Sequence, residues 1–239
     1  MRECTKRAQV LATLVIIVLW TPLEWGCSTS DDNSDDDTAG DDDSGDDDTG
    51  DDDLSDDDGD WIQISAGRGI SCGVLTGGAG ICWGSSEVGA SEPTAGVLFT
   101  EIVAGQYHSC GLTDTGIVTC WGIDDGSALD HGQVTEVPSG QFVDIDVDWY
   151  EHATCAVRVD GAIVCWGTLE GEFMQGDFQQ VSVHVHQICG LHTDGTVECT
   201  GSNAAGQLDV PGGEFEKVVA GDFHSCGLRD DGSVECWGC

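Results

Sequence analysis

Ten of the thirteen cysteines stand in five pairs, each ten positions apart: Cys72/Cys82, Cys110/Cys120, Cys155/Cys165, Cys189/Cys199 and Cys226/Cys236. Thiols spaced this way either oxidise to disulfides or bind a metal. Zinc knuckles want cysteines about two to four positions apart, and only Cys236/Cys239 come that close. Five disulfides, one inside each pair, are therefore expected. The remaining candidate groups are weaker. His184 and His186 alternate along a strand with His192 nearby, so they share a face and could ligate a metal, against the plainer reading of a half-exposed strand. Asp144, Asp146 and Asp148 likewise put three carboxylates on one strand face, inviting calcium, although an exposed polar face is the simpler expectation. Ser109 and Ser225 adjoin His108 and His224, but strand neighbours point to opposite faces and form no nucleophile–base pair. No nucleophile elbow, phosphate loop or His-Glu-x-x-His motif is present. No catalytic residue, resident metal or cofactor is expected.

The elements that position these groups repeat. An aromatic residue stands eleven positions before the first cysteine in four copies (Trp61, Phe99, Phe178, Phe215), and Phe142 stands thirteen before Cys155, marking an insertion. Trp-Gly follows the second cysteine in four copies (Trp83, Trp121, Trp166, Trp237), and Thr200-Gly201 takes its place in the fourth. First cysteines lie 38, 45, 34 and 37 positions apart. Each copy reads as three strands, with the cysteines on the second and third around turns such as Asp160-Gly161, Asp194-Gly195 and Asp231-Gly232. A two-residue turn would place paired cysteines on opposite faces. A three-residue loop ending in a left-handed Gly sets them directly opposite, with Cα atoms about 4.5–5.5 Å apart, within disulfide reach. The copies run over about 61–98, 99–140, 141–177, 178–214 and 215–239.

Composition divides the chain in three. Residues 1–26 carry Arg2, Lys6 and Arg7 before a short apolar run, Val10 to Trp20, which reads as a signal peptide rather than a membrane span. Gly26-Cys27-Ser28 resembles the lipidated cysteine of bacterial lipoproteins, with Cys27 as lipid anchor. Leu23 stands one place too early for that motif, and signal cleavage after Ser28 is the rival. Residues 27–60 hold eighteen Asp and no Lys or Arg, the composition of a disordered spacer with at most weak, collective calcium binding. Residues 61–239 carry 25 Asp and Glu against four basic residues, a formal charge of −21. That field repels phosphate backbones and excludes nucleic acid as a partner.

These repeats resemble those of the regulator of chromosome condensation family: Val219-Ala220-Gly221, His224, Asp231-Gly232 and Trp237-Gly238, with Gly201-Ser202-Asn203-Ala204-Ala205-Gly206-Gln207-Leu208 as the continuation. The pattern is fullest in the second and fifth copies, partial in the fourth and sparser in the first and third. The resemblance implies an all-β β-propeller with one blade per copy, with His108 and His224 structural, binding other proteins through loops. Family propellers usually have seven blades, and five copies leave three endings: a five-bladed ring with a short last blade, an open array, or a ring completed by a second chain. The expected protein is thus an exported interaction module, held by Cys27 on a bacterial cell envelope or outer-membrane surface, or otherwise secreted. It would recognise a protein or glycan ligand through the loops Ile123–Pro138 and Thr168–Asp177. A calcium-assisted hydrolase or lyase and a structural envelope protein are the alternatives.

Overall fold

The repeat folds as a unit because its turn leaves the strands little choice of register. In the computed structural model, which describes residues 60–239 apart from Ser86, Glu87, Trp149, Glu151, Glu170 and His186, each copy forms one antiparallel sheet. The expected leader, Cys27 and all of the spacer before Asp60 lie outside the described residues, as does His186. Blade one comprises β1 (Trp61–Ala66), β2 (Ile70–Leu75) and β3 (Gly80–Gly84). Blade two comprises β4 (Glu101–Ala104), β5 (His108–Leu112) and β6 (Val118–Gly122). Blade three has four strands: β7 (Phe142–Val147), β8 (Ala153–Arg158), β9 (Ile163–Gly167) and β10 (Gly171–Met174). Blade four holds β11 (Phe178–His184), β12 (Gln187–His192) and β13 (Val197–Gly201). Blade five holds β14 (Lys217–Ala220), β15 (His224–Leu228) and β16 (Val234–Gly238). Strand β10 is a departure from the sequence reading, which treats Thr168–Asp177 as irregular loop.

The hairpin between the second and third strands has the same geometry in all five blades. Gly78, Gly116, Gly161, Gly195 and Gly232 each close the loop with φ between 79° and 89°. Each donates its N–H to the carbonyl three residues earlier, as Gly116 does to Thr113 at 3.0 Å. This is the three-residue loop the cysteine spacing requires, and the cysteines are direct cross-strand partners in every blade. The bonds are Cys72–Cys82, Cys110–Cys120, Cys155–Cys165, Cys189–Cys199 and Cys226–Cys236. Their Cα separations of 4.0 to 4.1 Å are closer than the sequence argument assumes. Such bonds belong to a chain oxidised outside the cytoplasm.

The two cysteines of a bond are not equivalent, which spacing alone does not anticipate. Cys72, Cys110, Cys155 and Cys189, on the middle strands, are fully buried. Their partners Cys82, Cys120 and Cys199, on the outer strands, are only half-buried, and Cys165 alone among the second cysteines is buried. The physical reason is the neighbouring strand. A middle strand is flanked on both sides, whereas β3, β6 and β13 are edge strands of their sheets, and β9 is covered by β10. In blade five, whose far face meets no other blade among the described residues, Cys226 is half-buried and Cys236 exposed.

No blade has a core of its own. Each apolar cluster is built from the trailing face of one blade and the leading face of the next. Cys110, Leu112 and Val118 of blade two meet Phe142, Ile145, Val147 and Trp166 of blade three, with Cys120 packed at the margin. Cys72 and Val74 of blade one meet Phe99, Ile102, Ala104 and Trp121 of blade two, with Cys82 at the margin. Cys189, Leu191, Val197 and Cys199 of blade four meet Phe215, Val218, Ala220 and Trp237 of blade five. The aromatic at the head of the copy also explains why glycine follows the first cysteine in four copies, Ala156 standing there in the third: a Cβ on Gly111 would lie 2.4 Å from the Phe99 ring. The tryptophans of the Trp-Gly pairs also tie blades together by hydrogen bonds. Trp121, Trp166 and Trp237 donate their indole N–H to the carbonyls of Ala90, Gln133 and Gln207, each in the loop leaving the preceding blade.

Candidate functional site

The inner strands β1, β4, β7, β11 and β14 line one channel of about 450 Å³, with Gln63, Glu101, Asp144, Gln180 and Lys217 at corresponding positions around it. All of these side chains except Lys217 are rungs between blades. Gln63 donates to the carbonyl of Ile102 at 2.8 Å and accepts from its N–H at 3.2 Å, while Gln180 does the same with Val218 at 2.9 Å each. Glu101 accepts from the Ile145 N–H, and Asp144 accepts from the Val181 N–H at 2.7 Å. A second row lies one pleat further on. Ser65 accepts from Ala104, Asp146 accepts from Val183 and from the Ser182 hydroxyl, and Ser182 accepts from Ala220.

Three of these rungs are carboxyls in a confined space, and their proton affinities rise accordingly. Burial, then the neighbouring Asp146, pushes Glu101 up to about 7, with Lys217 opposing. Burial holds Asp144 well above the carboxylate range, reinforced by Glu101. Burial pushes Asp146 up to about 6, against the hydrogen bonds from Val183, Ser182 and Val147. Asp144 and Asp146 thus differ from the exposed polar face expected of them: both are half-buried in the channel wall, and Asp148 is fully buried. The reason is non-local, since the strand face that would be solvated in a lone sheet meets the next blade. Glu101 and Lys217 are not picked out by any motif. Their signal is positional, nine residues before the first cysteine, where Gln63 and Gln180 also stand.

The other candidates separate. His184 ends β11 opposite Gln187, whereas His192 pairs at the far end of β12 with Phe178. There His192 stacks on Phe178, with ring centroids 4.0 Å apart, and meets Asp177 at 2.7 Å. Among the described residues no three His, Cys, Asp or Glu come together to hold a metal ion. Ser109 and His108 point to different blades, Ser109 to the Ala90 carbonyl and His108 Nε2 to the Thr154 hydroxyl at 2.7 Å. His108 and Thr154 are fully buried, so no substrate reaches that pair. Burial and the nearby His152 lower His108 to about 3.

The two ends of the blades differ chemically. The hairpin ends carry Asp114, Asp160, Asp194 and Asp231, and Asp194 and Asp231 are held below the usual carboxylate range by hydrogen bonds from Thr196 and Ser233. The opposite ends of blades two and three carry rings. His131 stacks on His152 at 5.7 Å, and Tyr107 lies 5.1 Å from His152. Tyr150 is exposed on the β7–β8 turn, whose Asp148 accepts from the Tyr150 N–H at 2.8 Å. His152 has φ 64°, the one positive value among described non-glycine residues, a conformation that persists only where its surroundings impose it. The loop Ile123–Pro138 is anchored beneath this end. Buried Gln133 donates to Leu129 and accepts from His131, and Asp130 accepts from Gly126 and Gly132.

The family model described as Regulator of chromosome condensation (RCC1) repeat matches residues 99–133 and 215–239, the second and fifth copies. No curated protein matches the chain. The fold is similar to the CRINKLY WD40 ectodomain of the Arabidopsis thaliana receptor kinase ACR4, at 21% identity over 75% of this chain and 72% of that one, with a TM-score of 0.62. It is also similar to the ectodomain of the Physcomitrella patens receptor kinase CR4, at 26% identity over 74% of this chain and 50% of that one, TM-score 0.58. Prp20p from Saccharomyces cerevisiae follows at 16% identity over 74% of this chain and 58% of that one, TM-score 0.59. The chain therefore spans from half to under three quarters of these proteins. It shares with them the propeller fold, and two of its five copies match the RCC1 repeat model.

Proposed function

We propose that the protein is an exported interaction module that binds a protein ligand through the ring-bearing ends of blades two and three. The observation that carries this reading is the cluster of rings that Tyr107, His131 and His152 form at that end. Tyr107 and the His131/His152 stack meet there, and Tyr150 is exposed on the β7–β8 connection, on a scaffold whose blades are stapled by disulfides. Tyrosine offers large, stiff contact area at little conformational cost, and function concentrates on loops held by a rigid frame. Prp20p is a protein whose structure is described together with its binding to Gsp1p and histones, and its fold is the one found here. The channel carboxyls favour the calcium-assisted hydrolase less, because Asp144 and Asp146 are engaged with backbone N–H groups of the next blade. In the same reading Cys27 is the lipid anchor and the Asp-rich segment is a spacer that holds the module off the envelope.

The test compares cross-linked ligands captured by the wild type, by the double variant Tyr107→Ala/Tyr150→Ala and by Asp194→Asn/Asp231→Asn at the opposite ends, with a glycan array run in parallel. A protein ligand held by wild type and by the Asp variants but lost from the Tyr variant supports the reading. Equal capture by all three places binding elsewhere, and glycan binding without a protein ligand replaces the ligand class. Replacing Cys27 with Ala should release the protein from membranes.

A further inference from the structure

Among the described residues, blade one and blade five each leave uncovered the face that the other three blades bury against a neighbour. On the leading face of blade one, Trp61, Ile64, Ala66 and Trp83 occupy the places of Phe99, Ile102, Ala104 and Trp121 in blade two. Ile64 is 73% exposed where Ile102 is fully buried, and Trp83 is 49% exposed where Trp121 is 7%. On the trailing face of blade five, Val234 is 65% exposed where the corresponding Val118 is 9%, and Val219 and Cys236 are also exposed. Contacts between successive inner strands run from β1 through β4, β7 and β11 to β14, and no comparable contact among the described residues joins β14 to β1.

From this geometry we infer that the protein associates head to tail, the trailing face of blade five in one copy packing on the leading face of blade one in another. Four interfaces within the chain show what covers a leading face: the disulfide and aliphatic residues of a sister blade. The polar contacts are complementary as well. Within the chain, hydroxyls on leading faces meet cysteine sulfurs on trailing faces, Ser109 with Cys72 and Ser225 with Cys189. His108 on a trailing face meets Thr154 on the next leading face. At the free ends Cys226 and His224 stand ready for Ser71, the blade-one counterpart of Thr154. Lys217 occupies the rung position from which Gln63 donates to the Ile102 carbonyl, and would donate to the partner's Ile64 carbonyl in the same way. Leading and trailing faces differ, so the contact is heterologous and each copy offers one of each. Exposed aromatic and aliphatic faces of this kind mark association surfaces in soluble proteins.

Sedimentation of the full chain across a concentration range tests this, in moderate salt so that the formal charge of −38 is screened. The wild type should grow in mass with concentration, and more so as salt rises. Ile64→Asp and Val234→Asp both replace exposed residues, so folding is preserved, and intact disulfides with an unchanged sheet spectrum confirm it. Each variant alone should stay at monomer mass. Their equimolar mixture should stop at twice that mass, because Ile64→Asp keeps only its trailing face and Val234→Asp only its leading one. A wild type that stays monomeric at every concentration overturns the inference. If both variants then melt at lower temperature than the wild type, the two faces close on each other within one chain. Association abolished by Ile64→Asp but untouched by Val234→Asp would show a symmetric contact and overturn it equally.

Discussion

Replacing Glu101 by Gln should stabilise the protein at neutral and alkaline pH while leaving it unchanged in acid. Gln63 and Gln180 show what the position asks for, since each accepts from an N–H and donates to the carbonyl of one residue in the next blade. Ionised Glu101 accepts only, and it sits near Asp146 in a channel that penalises charge. A carboxyl held at about 7 rather than 4.5 carries about 3 kcal/mol of differential proton affinity, and about 2 kcal/mol once channel water screens this half-buried group. The folded state binds this proton more tightly than the unfolded state. The stabilisation is therefore complete below about pH 4.5 and is lost as pH rises through about 7. Equilibrium urea unfolding of wild type and Glu101→Gln at about pH 4, 6 and 8 isolates this group, because the other carboxyls titrate in both proteins. The variant should match the wild type at the lowest pH and exceed it by about 2 kcal/mol at the highest. A stability difference that does not change with pH, or a variant weaker at alkaline pH, would refute the assignment of Glu101 as a strained rung.

Removing the Cys155–Cys165 bond by double Ala substitution should cost about 2–3 kcal/mol by denaturant unfolding, since it constrains a short loop and its sulfurs sit between blades. Trp237→Phe deletes the indole N–H that meets the Gln207 carbonyl in a buried contact, so about 1–2 kcal/mol should be lost and amide exchange should quicken in residues 202–208. Gly116→Ala should destabilise by about 1–2 kcal/mol, because φ is 79° and a Cβ would lie 2.9 Å from the Phe142 carbonyl oxygen. The comparison is Gly126→Ala, which has φ 67° but open space, and should cost less in the same thermal-melt assay.

What the sequence made legible was local. Cysteines ten apart and a glycine six after the first determine one loop length, and from that loop follow the register, the disulfides and the three-strand unit. Nothing within a repeat, however, states what its far face will meet. Cys82 and Cys120 match Cys165 in spacing and pairing, yet only Cys165 has a further strand beside it and is buried. Asp144 and Asp146 alternate as a solvated strand would, and only the adjacent blade turns them into acceptors for Val181 and Val183. The ring-bearing end was hidden for the same reason, since Tyr107, His131 and His152 come from three separate segments. Strand β10 is not legible in the sequence, because Gly171–Met174 is too short to show alternation and only pairing with β9 makes it a strand.

Because every apolar cluster straddles a blade boundary, cohesion in this protein is a property of adjacency. Deleting or duplicating an internal copy would leave each surviving junction chemically of the same kind. Lineages could therefore lengthen or shorten such a chain by whole copies without redesigning its interior. By the same logic a terminal blade, held on one side only, should be the first to fray on warming.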